Sequence, residues 1–371
     1  MPILPLVDAT PVAHLTRPAT AELLRKADFP TPRPRRGVLA YRLRYATVTA
    51  AGTPTTASAL LVLPRDHRRR LRTLAYEHGT LVRRSDAPSS GLDNYAAQAA
   101  MLFAGAGYAV VAPDYLGLGS GAGSTTYLHA ATEASASLDA VRAARVFARS
   151  RGRTLDGRLD VVGFSQGGHA ALALDRAIEQ GADPALGVRA VASISGPLAL
   201  EQVELPAILD GRLDGRISGL NVANLLFAWG RVYPGLQPAP ATAFAPPYAA
   251  RLARLFDGRH ADGAILGAMP SRVTRLLTPT ALARLRAPSG PLLTALRDAD
   301  AVCDWAPRAR MALFAARADS AVAYNDSTAC ADALAAHGAR PRVVDLGHLD
   351  HFPSMFAGVP RALAWLQRTS R

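Results

Sequence analysis

Ser165 is the residue whose surroundings most clearly suggest chemistry. It stands at the centre of Gly163-Phe164-Ser165-Gln166-Gly167, a G-x-S-x-G pentapeptide. An apolar run, Leu159 to Val162, precedes it, and an Ala- and Leu-rich stretch running to Leu172 follows. The pattern predicts a strand, an abrupt turn and a helix, the arrangement known as a nucleophile elbow. Small residues two places before and after the serine let strand and helix pass close to each other. The hydroxyl then projects above the sheet, over the positive end of the helix dipole. The backbone N–H of Gln166 faces the place where an oxyanion would form. Taken without its context, the pentapeptide is equally an ordinary glycine turn.

A serine hydroxyl is a poor nucleophile at neutral pH; it needs a base, and the base needs an orienting acid. On a sheet of this kind the expected chain order is Ser, acid, His. The acid should follow the predicted strand Met311 to Ala316, which makes Asp319 the candidate; Asp326 lies a turn further on, beyond comfortable reach. The base should follow the last strand, in Gly347-His348-Leu349-Asp350-His351-Phe352. His351 is preferred because it leads into the final helix and can turn back over the serine; His348 is the alternative. Asp350 reads as a local turn or cap residue. An oxyanion hole needs a second N–H donor beside Gln166, and Thr80 in His78-Gly79-Thr80 supplies it. Gly79 would let the backbone approach, and His78 reads as structural. The loop Gly117 to Gly123 lacks G-K-[ST] and the strand-then-helix context of a phosphate cradle. It reads as a turn beside the site. Tyr115 and Tyr127 fit either the pocket wall or packing.

The elements that position these residues follow from periodicity and breakers. Residues 1–37 are rich in Pro and Arg, with one short helical pattern at Thr20 to Ala27, and read as an extended arm. Strands are predicted at Tyr41–Thr49, Thr56–Leu63, Arg72–Glu77, Tyr108–Ala112, Leu159–Val162, Val188–Ser195, Met311–Ala316 and Arg342–Leu346. The first two form a hairpin. Helices are predicted from a cap at Asp93 to Ala104, from Ala130 to Arg149, after Ser165, from Ser327 to His337, and from Ala357 to Arg368 with Pro360 in its first turns. Residues 198–308 show helical segments such as Gly219–Gly230, Tyr248–Phe256 and Pro291–Asp300, broken by prolines, and no clear strand. The expected fold is α/β: a mostly parallel eight-stranded sheet with helices on both faces. Residues 38–197 and 309–371 would form the catalytic domain. Residues 198–308 would be a helical insertion between the sixth and seventh strands. Ser165, His78, Asp114 and Asp319 all follow strand ends, so the topology gathers them on one edge, where ligands bind in such sheets.

With 371 residues, 49% of them hydrophobic, the chain can bury a large core. The net charge of +13 is carried by arginine, Lys26 being the single lysine. The arginines are scattered apart from Arg33–Arg36 and Arg68–Arg70, with few aromatics among them to stack on bases. That pattern speaks against a nucleic-acid partner and better fits transient contact with an anionic or fatty-acid-coated interface. Cys303 and Cys330 show no metal-ligand spacing and fit either one disulfide or two separate thiols. No metal or cofactor is implied. Met1-Pro2-Ile3-Leu4 shows no secretory leader, and Tyr95 to Ala112 reads as helix, turn and strand, not as a membrane span.

The motifs Tyr76-Glu77-His78-Gly79-Thr80, Asp114-Tyr115-Leu116-Gly117-Leu118-Gly119 and Gly163 to Gly168, with Asp319 and His351, carry a family resemblance. The chain resembles the α/β-hydrolase superfamily, and within it the secretory lipase and esterase group of bacteria and fungi. The resemblance covers about residues 38 to 371. It implies Ser165 as nucleophile, Asp319 as acid and His351 as base. It also implies a helical cap shaping an acyl pocket, a carboxylic-ester substrate, and export to the periplasm or beyond. A cytoplasmic location stays open for want of a leader. The expected activity is that of a cofactor-free serine esterase or lipase working through an acyl-enzyme. Leu225, Leu226, Phe227 and Trp229 would hold an acyl chain or form the core of the cap. A peptidase or acyltransferase on the same triad is the alternative, and a catalytically silent binding protein of the same fold is the third reading.

Overall fold

A partly alternating strand and a continuously buried one form a hairpin at the start of the chain's main sheet: β2 (Gly37–Val48) pairs antiparallel with β3 (Pro54–Arg65). This is seen in a computed structural model that describes residues 6–29, 34–236 and 240–368. Ahead of the hairpin, β1 (Leu6–Leu15) pairs antiparallel with β2, and α1 (Arg17–Lys26) follows. The sequence reading had an extended arm here and one strand fewer. β1 alternates weakly and contains Pro11, which suits only an edge strand, and its register slips between Pro11 and Ala13. Residues 1–5 and 30–33, including the opening tetrapeptide and Arg33, lie outside the described residues.

The remaining strands are β4 (Arg70–Glu77), β5 (Ala109–Pro113), β6 (Thr154–Phe164), β7 (Gly187–Ile194), β8 (Arg310–Ala315) and β9 (Arg342–Asp345). The nine strands run in the order β1-β2-β3-β5-β4-β6-β7-β8-β9. From β5 across to β9 all neighbours are parallel. The direction of winding reverses at β4, which has β5 on one side and β6 on the other. The carboxyl end of the sheet at this point is where such folds place ligands.

Helices cover both faces, each with its own apolar cluster. They are α2 (Tyr95–Ala106), α3 (Ala130–Ser150) and α4 (Gln166–Glu179) before β7. The cap of α2 is Asn94, whose side chain accepts from the N–H of Ala97 at 2.8 Å, and not Asp93. Gly107 ends α2 in the left-handed region, a conformation glycine adopts without steric cost. Between β7 and β8 the described residues form α5 (Leu205–Leu209), α6 (Gly215–Val232), α7 (Pro240–Ala243), α8 (Tyr248–Leu255), α9 (Asp262–Leu266), α10 (Pro279–Arg286) and α11 (Gly290–Asp300). This segment has an apolar cluster of its own, built around Trp229, Phe244, Leu252 and Leu296.

Two helices close the chain: α12 (Tyr324–Ala336) and α13 (His351–Arg368). The last begins six residues earlier than its periodicity suggested, so Pro360 lies inside it and not in its first turns. Pro353, at its third position, marks the true first turn, where a missing N–H costs nothing. Cys303 and Cys330 are joined as a disulfide, tying the end of the helical segment to α12.

Candidate active site

Ser165 links the end of β6 to the start of α4 with φ 55° and ψ −124°. A non-glycine residue at such φ is strained and persists only where its surroundings impose it. Here the surroundings are backbone. A Cβ on Gly163 would run into the carbonyl of Gly167, and one on Gly167 into the carbonyls of Glu77 and His78. The two glycines are required by the closeness of strand and helix. Ser165 is only 8% exposed, so a substrate must reach it through the pocket beside it.

The structure brings three of the predicted residues into one hydrogen-bonded chain. The Ser165 hydroxyl lies 3.0 Å from His351 Nε2. His351 Nδ1 lies 2.9 and 3.0 Å from the two carboxylate oxygens of Asp319. All three are buried. Asp319 Oδ1 also accepts the N–H groups of Ala321 and Val322, each at 2.9 Å, which fixes the carboxylate plane. His351 opens α13, and the Phe164 ring packs 4.8 Å from its imidazole. His348 is exposed and does not join this chain.

Other predicted residues have clear places. Gln166 is the first residue of α4, directly after the serine. Thr80 is half-buried, and its hydroxyl donates to Tyr127 at 3.5 Å. Gly79, just before it, comes so close to the elbow that a Cβ would sit 3.1 Å from the Phe164 ring. His78 is fully buried, with its ring nitrogens facing the carbonyls of Gly79 and Asp114, and burial lowers its pKa. Asp114 is an anchor: it accepts from the hydroxyls of Ser58 and Ser89 and the N–H of Ser89. Gly119 packs against that carboxylate, where any side chain would collide. The glycine loop is therefore folded onto the sheet edge. Tyr127 lines the pocket, whereas Tyr115 packs against His78 and donates to its carbonyl.

A narrow pocket reaches from Ser165 into the helical segment. Leu200, Leu205, Ile208, Leu225, Leu292 and Leu296 give it a mainly apolar wall. Of the four residues singled out for an acyl chain, only Leu225 lines it. Phe227 stacks with Phe244 and Phe256, and the Trp229 N–H donates to the carbonyl of Tyr127.

Sequence reasoning missed several residues that hold this site. Asp350 is more than a local cap: its Oδ1 accepts from the N–H and hydroxyl of Ser320, thirty residues away, and from the N–H of His351. Glu204 lines the pocket and accepts from the N–H of Ala323. Asp326 accepts from the N–H groups of Leu198 and Ala199. Burial raises both carboxyls above their ordinary values. No local motif marks Glu204 and Asp326, because their partners are more than a hundred positions distant. Among the described residues no helix is long and apolar enough to cross a membrane.

Comparison with known proteins agrees with this architecture. A family model described as secretory lipase matches residues 91–183, a stretch that includes Ser165. No curated protein matches the chain. Among solved structures, a protein of Legionella pneumophila superposes with a TM-score of 0.90 at 23% identity, covering 99% of this chain and 98% of its own. The rice cell wall degrading esterase LipA of Xanthomonas oryzae, in a ligand-bound form, gives 0.88 at 26% identity, covering 98% and 97%. Candida antarctica lipase A gives 0.73 at 15% identity, covering 100% of this chain and 82% of that one. The fold is that of the α/β-hydrolases, and the likenesses bear out the resemblance to their lipase and esterase members. They support a carboxylic-ester hydrolase.

Proposed function

We propose that the chain hydrolyses carboxylic esters by a Ser–His–Asp mechanism through an acyl-enzyme. Ser165 attacks the ester carbonyl while His351 takes its proton, and Asp319 holds the imidazole and stabilises the imidazolium. The tetrahedral oxyanion sits on the N–H groups of Gln166 and Thr80. His351 then protonates the leaving alcohol, and water activated by the same imidazole releases the acid. The observation that supports this reading is the buried hydrogen-bonded chain from Ser165 Oγ through His351 to Asp319.

Residues 198–308 act as a cap on a catalytic domain made of 38–197 and 309–371. The burial of Ser165 and the leucines around the pocket support a substrate with an apolar acyl part, delivered from solution or a lipid interface. Export to an oxidising compartment agrees with the secretory-lipase match and with the disulfide.

The test is hydrolysis of p-nitrophenyl esters of graded acyl length by wild type, Ser165→Ala, His351→Ala and His348→Ala. Loss of kcat by a factor of about 10⁴ or more is expected for the first two variants, with His348→Ala within about twofold of wild type. Wild-type turnover by Ser165→Ala or His351→Ala would overturn the reading.

A further inference from the structure

Behind the elbow lies a second buried polar group that the mechanism above does not use. Glu133, in the first turn of α3, is 1% exposed and His169, one turn into α4, is fully buried. Glu133 Oε2 lies 2.6 Å from His169 Nδ1, and Glu133 Oε1 accepts from the side-chain amide of Gln166 at 2.8 Å. The other imidazole nitrogen, Nε2, lies 3.0 Å from the carbonyl of Ala299, in the last turn of α11.

The Ala299 carbonyl can only accept, so His169 Nε2 carries a hydrogen. The bond to Glu133 is then made either by an imidazolium and a carboxylate or by a neutral ring and a carboxylic acid. The charged form is part of the proposal. Without its partner such a charge could not be buried; with it, the charge-assisted bond is short and directional. The attraction of Glu133 raises the pKa of His169 against the opposing effect of burial. Asp300 faces the same ring, and His129 lies near the pair with its own pKa lowered by burial.

Resting on the reading of Gln166 as an oxyanion donor, we propose that Glu133 and His169 are positioning residues for the oxyanion hole. Glu133 holds the Gln166 side chain, and with it the first peptide of α4, whose N–H meets the oxyanion. His169 seats α11 on that same turn through the Ala299 carbonyl, a favourable place for a cation at a helix C-terminus. α11 carries Leu292 and Leu296 of the pocket wall. Neither residue touches the substrate. Loss of Glu133 acts on the oxyanion donor, and so on the transition state more than on ground-state binding, whereas loss of His169 also loosens α11 and its pocket wall.

The experiment measures kcat and KM of the full chain on p-nitrophenyl butyrate for Glu133→Gln, His169→Gln, Gln166→Ala and Glu133→Gln/Gln166→Ala, beside Ser165→Ala. Each single change at the network is expected to lower kcat about 10- to 100-fold, a part of what losing an oxyanion donor costs; KM should stay within about twofold for Glu133→Gln and Gln166→Ala and rise for His169→Gln. The double variant should be no worse than the weaker single one, because both break one connection. Glu133→Gln with kcat within twofold of wild type, or losses that multiply in the double variant, would overturn the proposal. So would equal changes in kcat and KM for Glu133→Gln. Wild-type turnover by Ser165→Ala would sink the triad reading, and this proposal with it. Where a variant fails to fold, ¹⁵N-histidine spectra of the wild type decide. Hydrogens on both His169 nitrogens at pH 8 support the pair, and a singly protonated ring overturns it.

Discussion

The sheet edge that carries Ser165 and the helical segment between β7 and β8 are held by different forces. On the sheet edge, positions are set by backbone contacts and directed hydrogen bonds. Gly163 and Gly167 leave no room for a methyl group, and Asp114 gathers Ser58 and Ser89 beneath the glycine loop. In the helical segment, Trp229, Phe244, Leu252 and Leu296 form an apolar cluster whose contacts are non-directional. Directed polar ties hold it at its two stems. Asp300 accepts from the N–H groups of Leu200 and Glu201, Asp326 from those of Leu198 and Ala199, and Glu204 from that of Ala323. Directed contacts hold reacting atoms at hydrogen-bond distance. Apolar contacts set the shape of a pocket and tolerate conservative exchange. The lesson is that chemistry and specificity are placed by separate means and should respond separately to mutation.

The sharpest way to break this comparison is at a glycine. Gly167→Ala puts a methyl against the carbonyls of Glu77 and His78, neither of which can move without distorting the elbow. A loss of about 3 kcal/mol or more in urea unfolding is expected. The conservative exchange Leu225→Met, in the pocket wall, should cost less than about 1.5 kcal/mol. Equal losses would mean that the two regions are held alike.

The disulfide bears on the join between them. Cys303 and Cys330 are 27 residues apart in sequence, so removing the cross-link by the double exchange to serine should cost roughly 3 kcal/mol of stability. Hydrolysis below the unfolding transition should stay within about twofold of wild type, because the bond closes the stem and touches no reacting group. A loss of turnover without a loss of stability would show that the stem controls the site.

A further effect, confined to the sheet and spread over several pH units, is pH-dependent. Burial pushes the Glu77 carboxyl up to about 8 from an ordinary value of 4.5. Between these values the folded chain keeps a proton that the unfolded chain has released. Stability therefore falls as pH rises through this window, by up to about 1.4 kcal/mol per pH unit. Glu77→Gln removes this dependence. The difference in midpoint between variant and wild type should grow in the variant's favour from pH 5 to 8 and level off above. A difference independent of pH would contradict the assignment.

The same division explains what could be read from the sequence. Ser165 was legible because the elbow is a local steric pattern, with small residues at fixed spacing between a strand and a helix. Asp319 and His351 were legible from the order of elements, since each follows a strand end. His351 was separable from His348 only by its place before α13, and that helix itself was misjudged by six residues because Pro360 looked like a first-turn proline. Edge strand β1 escaped notice because half-exposed, Pro-containing segments carry little alternation. Glu133, His169, Glu204 and Asp326 left no local trace. Their roles come from partners on other elements, and a lone buried Glu or His reads the same whatever it meets. Within residues 198–308 helices were legible, but which of Leu225, Leu226, Phe227 and Trp229 faced the pocket depended on how those helices pack.

The central claim is that Ser165 is an activated nucleophile. It is tested most directly by treating the folded chain with a fluorophosphonate and mapping the modified peptide by mass spectrometry. The account predicts one adduct, on Ser165, formed rapidly by wild type and at least about a hundredfold more slowly by His351→Ala. A folded wild-type chain that acquires no adduct, or acquires it on another serine, would contradict it.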